Sequence, residues 1–94
     1  MIMAYTIEEI KKIYVTQPYS ELTQCERILK YLAFHGSISS REAMNELGIY
    51  RLASRINDLK RRGYHIADKM ASGENRFGEK TSFKVYRLIE KEGN

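Results

Sequence analysis

Leu47-Gly48-Ile49-Tyr50-Arg51-Leu52-Ala53-Ser54-Arg55-Ile56-Asn57-Asp58-Leu59 decides the fold of this 94-residue chain. Gly48 breaks one helical pattern, and Ile49 follows it as a buried pivot. Leu52, Ile56 and Leu59 then recur at helical spacing, so a new helix is read from about Tyr50 to Arg62, with Gly63 as its stop. Two helices joined by so short a glycine turn cross steeply, and the second is free to protrude from the body of the domain.

Upstream, Ser39-x-x-Glu42 is a capping box that opens a helix carrying Ala43, Met44 and Leu47. Ile38 stands alone before it, which fits one extended step into the core. A second box, Thr23-x-x-Glu26, opens a helix with Cys25, Ile28, Leu29 and Leu32 on one stripe and Gly36 as its left-handed cap. A third, Thr6-x-x-Glu9, opens an N-terminal helix striped by Ile7, Ile10, Ile13 and Tyr14. Val15 to Ser20 holds the one proline, Pro18, and reads as a linker.

Downstream of Gly63 the period changes. His65 to Met70 alternates, with Ile66 and Met70 as apolar anchors; Ala71 to Lys80 is polar and reads as a loop; Thr81 to Leu88 is strand-like. The pattern predicts a β-hairpin whose Phe77, Phe83 and Tyr86 pack on the helices, and a frayed tail from Glu90 to Asn94. The expected class is α+β, mainly α: a three-helix core and a two-stranded hairpin, preceded by an extra helix. Residues 1–20 form the N-terminal helix and linker, and residues 21–90 the main domain.

Composition sets the outer bounds. With 43% hydrophobic and 30% charged residues, the chain is an ordinary globular domain with no stretch able to span a bilayer. The start, Met1-Ile2-Met3-Ala4-Tyr5, lacks the pattern of a signal peptide, and Cys25 is the one cysteine, so a cytoplasmic protein is expected. The net charge of +4 is unevenly spread. From Arg51 to Arg87, ten cations stand against four carboxylates, a net +6, while the remainder has six cations against eight carboxylates, a net −2. A basic half beside a mildly acidic one suits either a phosphate-facing surface or a solvated basic face.

The order helix, extended step, helix, glycine turn, helix, hairpin suits a reader of duplex DNA, because the major groove admits one α-helix. Here the residues resemble a known family. Glu46-Leu47-Gly48-Ile49-Tyr50-Arg51 looks like the turn of phage repressors. The run Leu47 to Leu59, followed by Arg62-Gly63-Tyr64-x-Ile66, is similar to the small winged helix-turn-helix domains of phage and prophage proteins. The resemblance spans roughly Thr23 to Leu88 and departs from the repressor pattern at Ser54, where an aliphatic residue is usual. It implies a sequence-specific double-stranded DNA-binding protein, a phage or prophage transcription regulator, with the hairpin as a wing on flanking backbone or minor groove.

Contact positions follow from helical geometry. Opposite Leu52, Ile56 and Leu59, the residues pointing outward are Tyr50, Ser54, Asn57 and Arg61. Tyr50, Arg51, Ser54 and Asn57 are the expected base readers, since Arg pairs bidentately with guanine and Asn with adenine. Arg55 is placed to pair with Asp58 at i+3 or to touch DNA. Lys60, Arg61 and Arg62 are expected phosphate contacts, or a solvated helix end favoured by the dipole. Ser40 and Arg41, with the amides of their helix start, and Arg76 and Lys80 on the wing, with Lys69 beside them, complete the DNA-binding set; Ser39 is explained as a cap.

An enzyme is not expected, nor is a cofactor or metal. His35 and His65 have no cysteine or carboxylate at ligand spacing, and His35 suits a helix end. Cys25 shares an apolar stripe, and Glu8 and Glu9 suit a helix start. Gly73 to Gly78 lacks the context of a phosphate loop, and RNA readers usually offer aromatic platforms on a sheet. The alternative of a different class is a phage-encoded winged-helix module for protein contact, or an inhibitor of a host factor. For it the stripe Ile7, Ile10, Ile13, Tyr14 is the best surface; a homodimer through residues 6–14 and packing on the same chain are the other fates of that stripe.

Overall fold

The computed structural model describes residues 4–90; Met1 to Met3 of the N-terminal stretch and residues 91–94 of the tail lie outside the described residues. The described residues form four α-helices, α1 (Ile7–Tyr14), α2 (Gln24–His35), α3 (Ser40–Leu47) and α4 (Leu52–Arg61). Strands β1 (Ile38–Ser39), β2 (His65–Glu74) and β3 (Lys80–Ile89) make one antiparallel sheet in the order β1-β3-β2.

Each of the first three helices opens on its capping box. The hydroxyls of Thr6, Thr23 and Ser39 accept the N–H of Glu9, Glu26 and Glu42, and those carboxylates accept the N–H of the capping residues at 2.9 Å. Such caps contribute about 1 kcal/mol apiece. Glu42 is held further by the Tyr31 hydroxyl, which donates to it at 3.2 Å.

One core joins all layers. Ile10, Ile28, Ile38, Ile49, Leu52, Ile56 and Leu59 are its largest fully buried side chains. The stripe of α1 lies against α2: Ile10 and Tyr14 are buried in that core and Ile7 packs on its edge. The chain itself thus buries Ile10 and Tyr14 and partly covers Ile7, so of the stripe proposed for a homodimer through residues 6–14 Ile13 and the rim of Ile7 stay open. The segment after α1 is also anchored. It contains a 3₁₀ turn, Tyr19–Glu21, and Arg27 of α2 donates from Nε to the carbonyls of Tyr19 and Leu22 and from Nη1 to that of Leu47. Lys30 donates to the Gln17 carbonyl and lies over the Tyr19 ring.

The sheet differs from expectation in two respects. Ile38 and Ser39 are a third strand, paired with Tyr86 and Val85, so the hairpin is stitched to the helices through backbone as well as side chains. Half of the expected loop from Ala71 to Lys80 is strand, since pairing runs unbroken to Glu74 opposite Lys80, leaving a connection of residues 75–79. Polar composition reports exposure here rather than lack of structure: beyond β1 the ribbon leaves the core, and its ladder bonds hold although none of its side chains is buried. Met70 and Phe77 accordingly do not anchor the hairpin. Both are exposed, Phe83 is partly so, and of the three aromatics only Tyr86 is buried.

Candidate nucleic-acid interface

The turn between α3 and α4 sets the position of everything around it. Gly48 adopts φ +69°, a left-handed conformation that a side chain makes costly. Its N–H donates to the Met44 carbonyl at 3.2 Å, and Ile49 N–H reaches Ala43 at 2.9 Å, closing α3 as Ile49 enters the core. The chain needs two further residues to change direction. Tyr50 and Arg51 therefore precede α4 rather than forming its first turn: Arg51 is the N-cap, and its carbonyl accepts the Arg55 N–H. This corrects the helix expected over 50–62, which spans Leu52–Arg61. Tyr50, 79% exposed, and Arg51 consequently project from the leading end of the helix.

Along α4 the exposed arc is Ala53, Asn57, Lys60 and Arg61. Ser54, which an ideal wheel points straight outward, is half-buried, as are Arg55 and Asp58 beside it. Burial on that flank displaces the exposed face toward Asn57. Asp58 sits between two guanidiniums: Arg55 Nη2 lies 3.2 Å from one carboxylate oxygen, and Arg61 Nη2 contacts the other. Arg55 is thus the structural partner, with its Nε buried, whereas the Arg61 side chain is 74% exposed. Arg62 is exposed at the C-cap.

Ser40 and Arg41, both exposed, face the hairpin across a cleft that also includes Thr81, Phe83 and Lys84. Ser39 is the buried cap. Lys80 stands across the ladder from Glu74, and Lys84 pairs with Asp68 at 3.7 Å. Arg76 is exposed in the 75–79 connection. The expected residues therefore fall into three groups: the α4 end and arc, the α3 start beside the hairpin, and the hairpin tip.

Sequence reasoning missed Lys84 and, at the tip, Phe77. Asn75-Arg76-Phe77-Gly78 has Asn at the first and Gly at the fourth position of a type I turn, which is the signal that places Arg76 and Phe77 at an apex. Cys25 is buried, and burial pushes its thiol up, away from the reactive thiolate. Among the described residues no cluster of His, Cys, Asp and Glu has the makings of a metal site, and no helix is long and apolar enough to cross a membrane.

A family model described as a winged helix-turn-helix domain matches residues 23–90, from the cap of α2 to the residue after β3. No curated protein and no solved structure matches.

Proposed function

The chain belongs to the winged helix-turn-helix family, and on that premise we propose that it binds double-stranded DNA sequence-specifically, as a non-enzymatic regulator of transcription. In this reading α4 enters the major groove, leading with Tyr50 and Arg51 and presenting Asn57. Ser54 borders that face, and Lys60, Arg61 and Arg62 hold phosphates. Ser40 and Arg41 meet the backbone from the start of α3, while the wing brings Arg76 and Lys80 to the flanking backbone or minor groove. Residues 21–90 are the DNA-binding unit, and the described part of the 1–20 segment, with α1, braces it. A phage or prophage source, and action in the host cytoplasm, belong to the same proposal.

One observation carries the reading. The core closes completely around Ile49, Leu52, Ile56 and Leu59, yet the opposite arc of the same helix and its leading end stay bare, polar and cationic. A helix buried along one side and open on the other, beside a protruding ribbon, suits insertion into a groove about 12 Å wide. Gel retardation with random duplexes at low salt, followed by selection of the bound fraction, tests the proposal. Retardation of all duplexes with enrichment of one motif is the expected result. Failure to retard any duplex at low ionic strength rejects DNA binding in favour of the protein-contact alternative.

A further inference from the structure

The wing ends in a tightly organised turn. Asn75 Oδ1 accepts the N–H of Phe77 at 2.9 Å and that of Glu79 at 3.0 Å, and Asn75 Nδ2 donates to Glu79 Oε1 at 2.8 Å. The Asn75 N–H donates to the Glu79 carbonyl and the Gly78 N–H to that of Asn75, both at 3.0 Å, with Gly78 left-handed at φ +78°. Five hydrogen bonds made by Asn75 and Glu79 thus fix the three residues between them. Since β1 pairs only with Val85 and Tyr86, the ladder from Met70–Lys84 to Glu74–Lys80 stands clear of the third strand. At about 3.3 Å per residue that ribbon carries the turn some 13 Å outward.

At this apex Phe77 is 78% exposed. An aromatic ring held in water by a rigid turn, with Arg76 next to it, needs an occupant for its surface. Size separates the candidates. An aromatic side chain buries about 150–250 Å², far below the roughly 800 Å² per partner of a stable protein interface, and its chain neighbours Arg76, Gly78 and Glu79 do not extend it into a patch. One apolar wedge is enough, however, to part a base-pair step. Charge agrees: residues 69–84 hold the cations Lys69, Arg76, Lys80 and Lys84 against Glu74 and Glu79.

We propose that Phe77 is a wedge that enters the minor groove and partly unstacks one base-pair step, with Arg76 lying along the groove beside it, so that the protein kinks its DNA. This inference rests on the DNA reading above. It adds a specificity element remote from α4, because pyrimidine–purine steps such as TA and CA/TG unstack most easily. The preorganised turn lowers the ordering cost of insertion.

The test uses the full chain on a duplex obtained by selection, with 2-aminopurine at successive positions flanking the major-groove site and fluorophores at its ends for bend angle. Wild type is expected to raise 2-aminopurine fluorescence at one step and shorten the end-to-end distance. Phe77→Ala should abolish both while still retarding the duplex, with affinity about tenfold lower; Phe77→Leu should retain part of the bend. Asn75→Ala should weaken the bend by loosening the turn. Wild type that binds without unstacking or bending, or Phe77→Ala that bends DNA as wild type does, overturns the wedge and leaves the DNA reading intact. Absence of all duplex binding removes both.

Discussion

Arg51 and Arg61 lie at opposite ends of the same helix region and should fail in different ways. Arg51 projects from the leading end, so Arg51→Ala should lose about 1–3 kcal/mol on a selected site and relax preference at one base position. Arg61→Ala should weaken all sequences alike and flatten the salt slope by about one unit. Competition binding against single-base variants separates the two, and identical behaviour would show the recognition face to be misplaced. Asp58 pairs with both Arg55 and Arg61, joining the half-buried flank of α4 to its exposed arc. An exposed pair of this kind is worth about 0–1 kcal/mol, so Arg61 can exchange a carboxylate for a phosphate at little cost. Asp58→Asn removes the competing anion, and non-specific affinity at low salt should rise several-fold with a steeper salt dependence, as fluorescence anisotropy on an arbitrary duplex can check. An unchanged or weaker affinity would mean that Asp58 instead holds the guanidiniums in register.

At the scale of the element, α1 shows what burial decides. Ile10 is fully enclosed against α2, and α1 is tied to the hairpin base by two more bonds: Tyr5 N–H donates to the Tyr64 hydroxyl and Ile7 N–H to the Glu90 carboxylate at 2.8 Å. Ile10→Glu should therefore cost at least about 3 kcal/mol, seen as a lower melting temperature at unchanged sedimentation mass. A dimeric wild type converted to a stable monomer would reverse this reading. Helices were legible in the sequence because their signals are local: three capping boxes, the stripes of α1, α2 and α4, and Gly48. The limits of α4 were not, since the cost of turning the chain after a left-handed glycine depends on where Ile49 must go. The wing was half legible. Periodicity reports a buried face, and the outer ladder from Met70 to Glu74 has none, so backbone pairing alone carries the strand there. For the same reason the basic residues were recognised by type while their partners, Glu74 across from Lys80 and Asp68 beside Lys84, emerged only from the register.

For the molecule as a whole, the uneven charge predicts a particular kind of affinity. If about five phosphates are neutralised, the logarithm of the binding constant should fall with that of salt at a slope near −4.5. Between 50 and 200 mM salt this is a loss of about 10²–10³-fold, measurable by anisotropy; a slope near zero would assign the basic half to solvation alone. The sheet order β1-β3-β2 has a different consequence, concerning how the protein is made. Its central strand is the last to be synthesised, and Ile38 and Ser39 must wait for Tyr86 and Val85 before their backbone groups are paired. While the chain emerges from the ribosome, α1 to α4 can form locally, but β1 has nothing to join and β2 has no neighbour. The sheet thus cannot close until β3 leaves the exit tunnel. Stitching the first-made strand to the last-made one makes the emergence of β3 the moment at which the wing acquires its fixed direction.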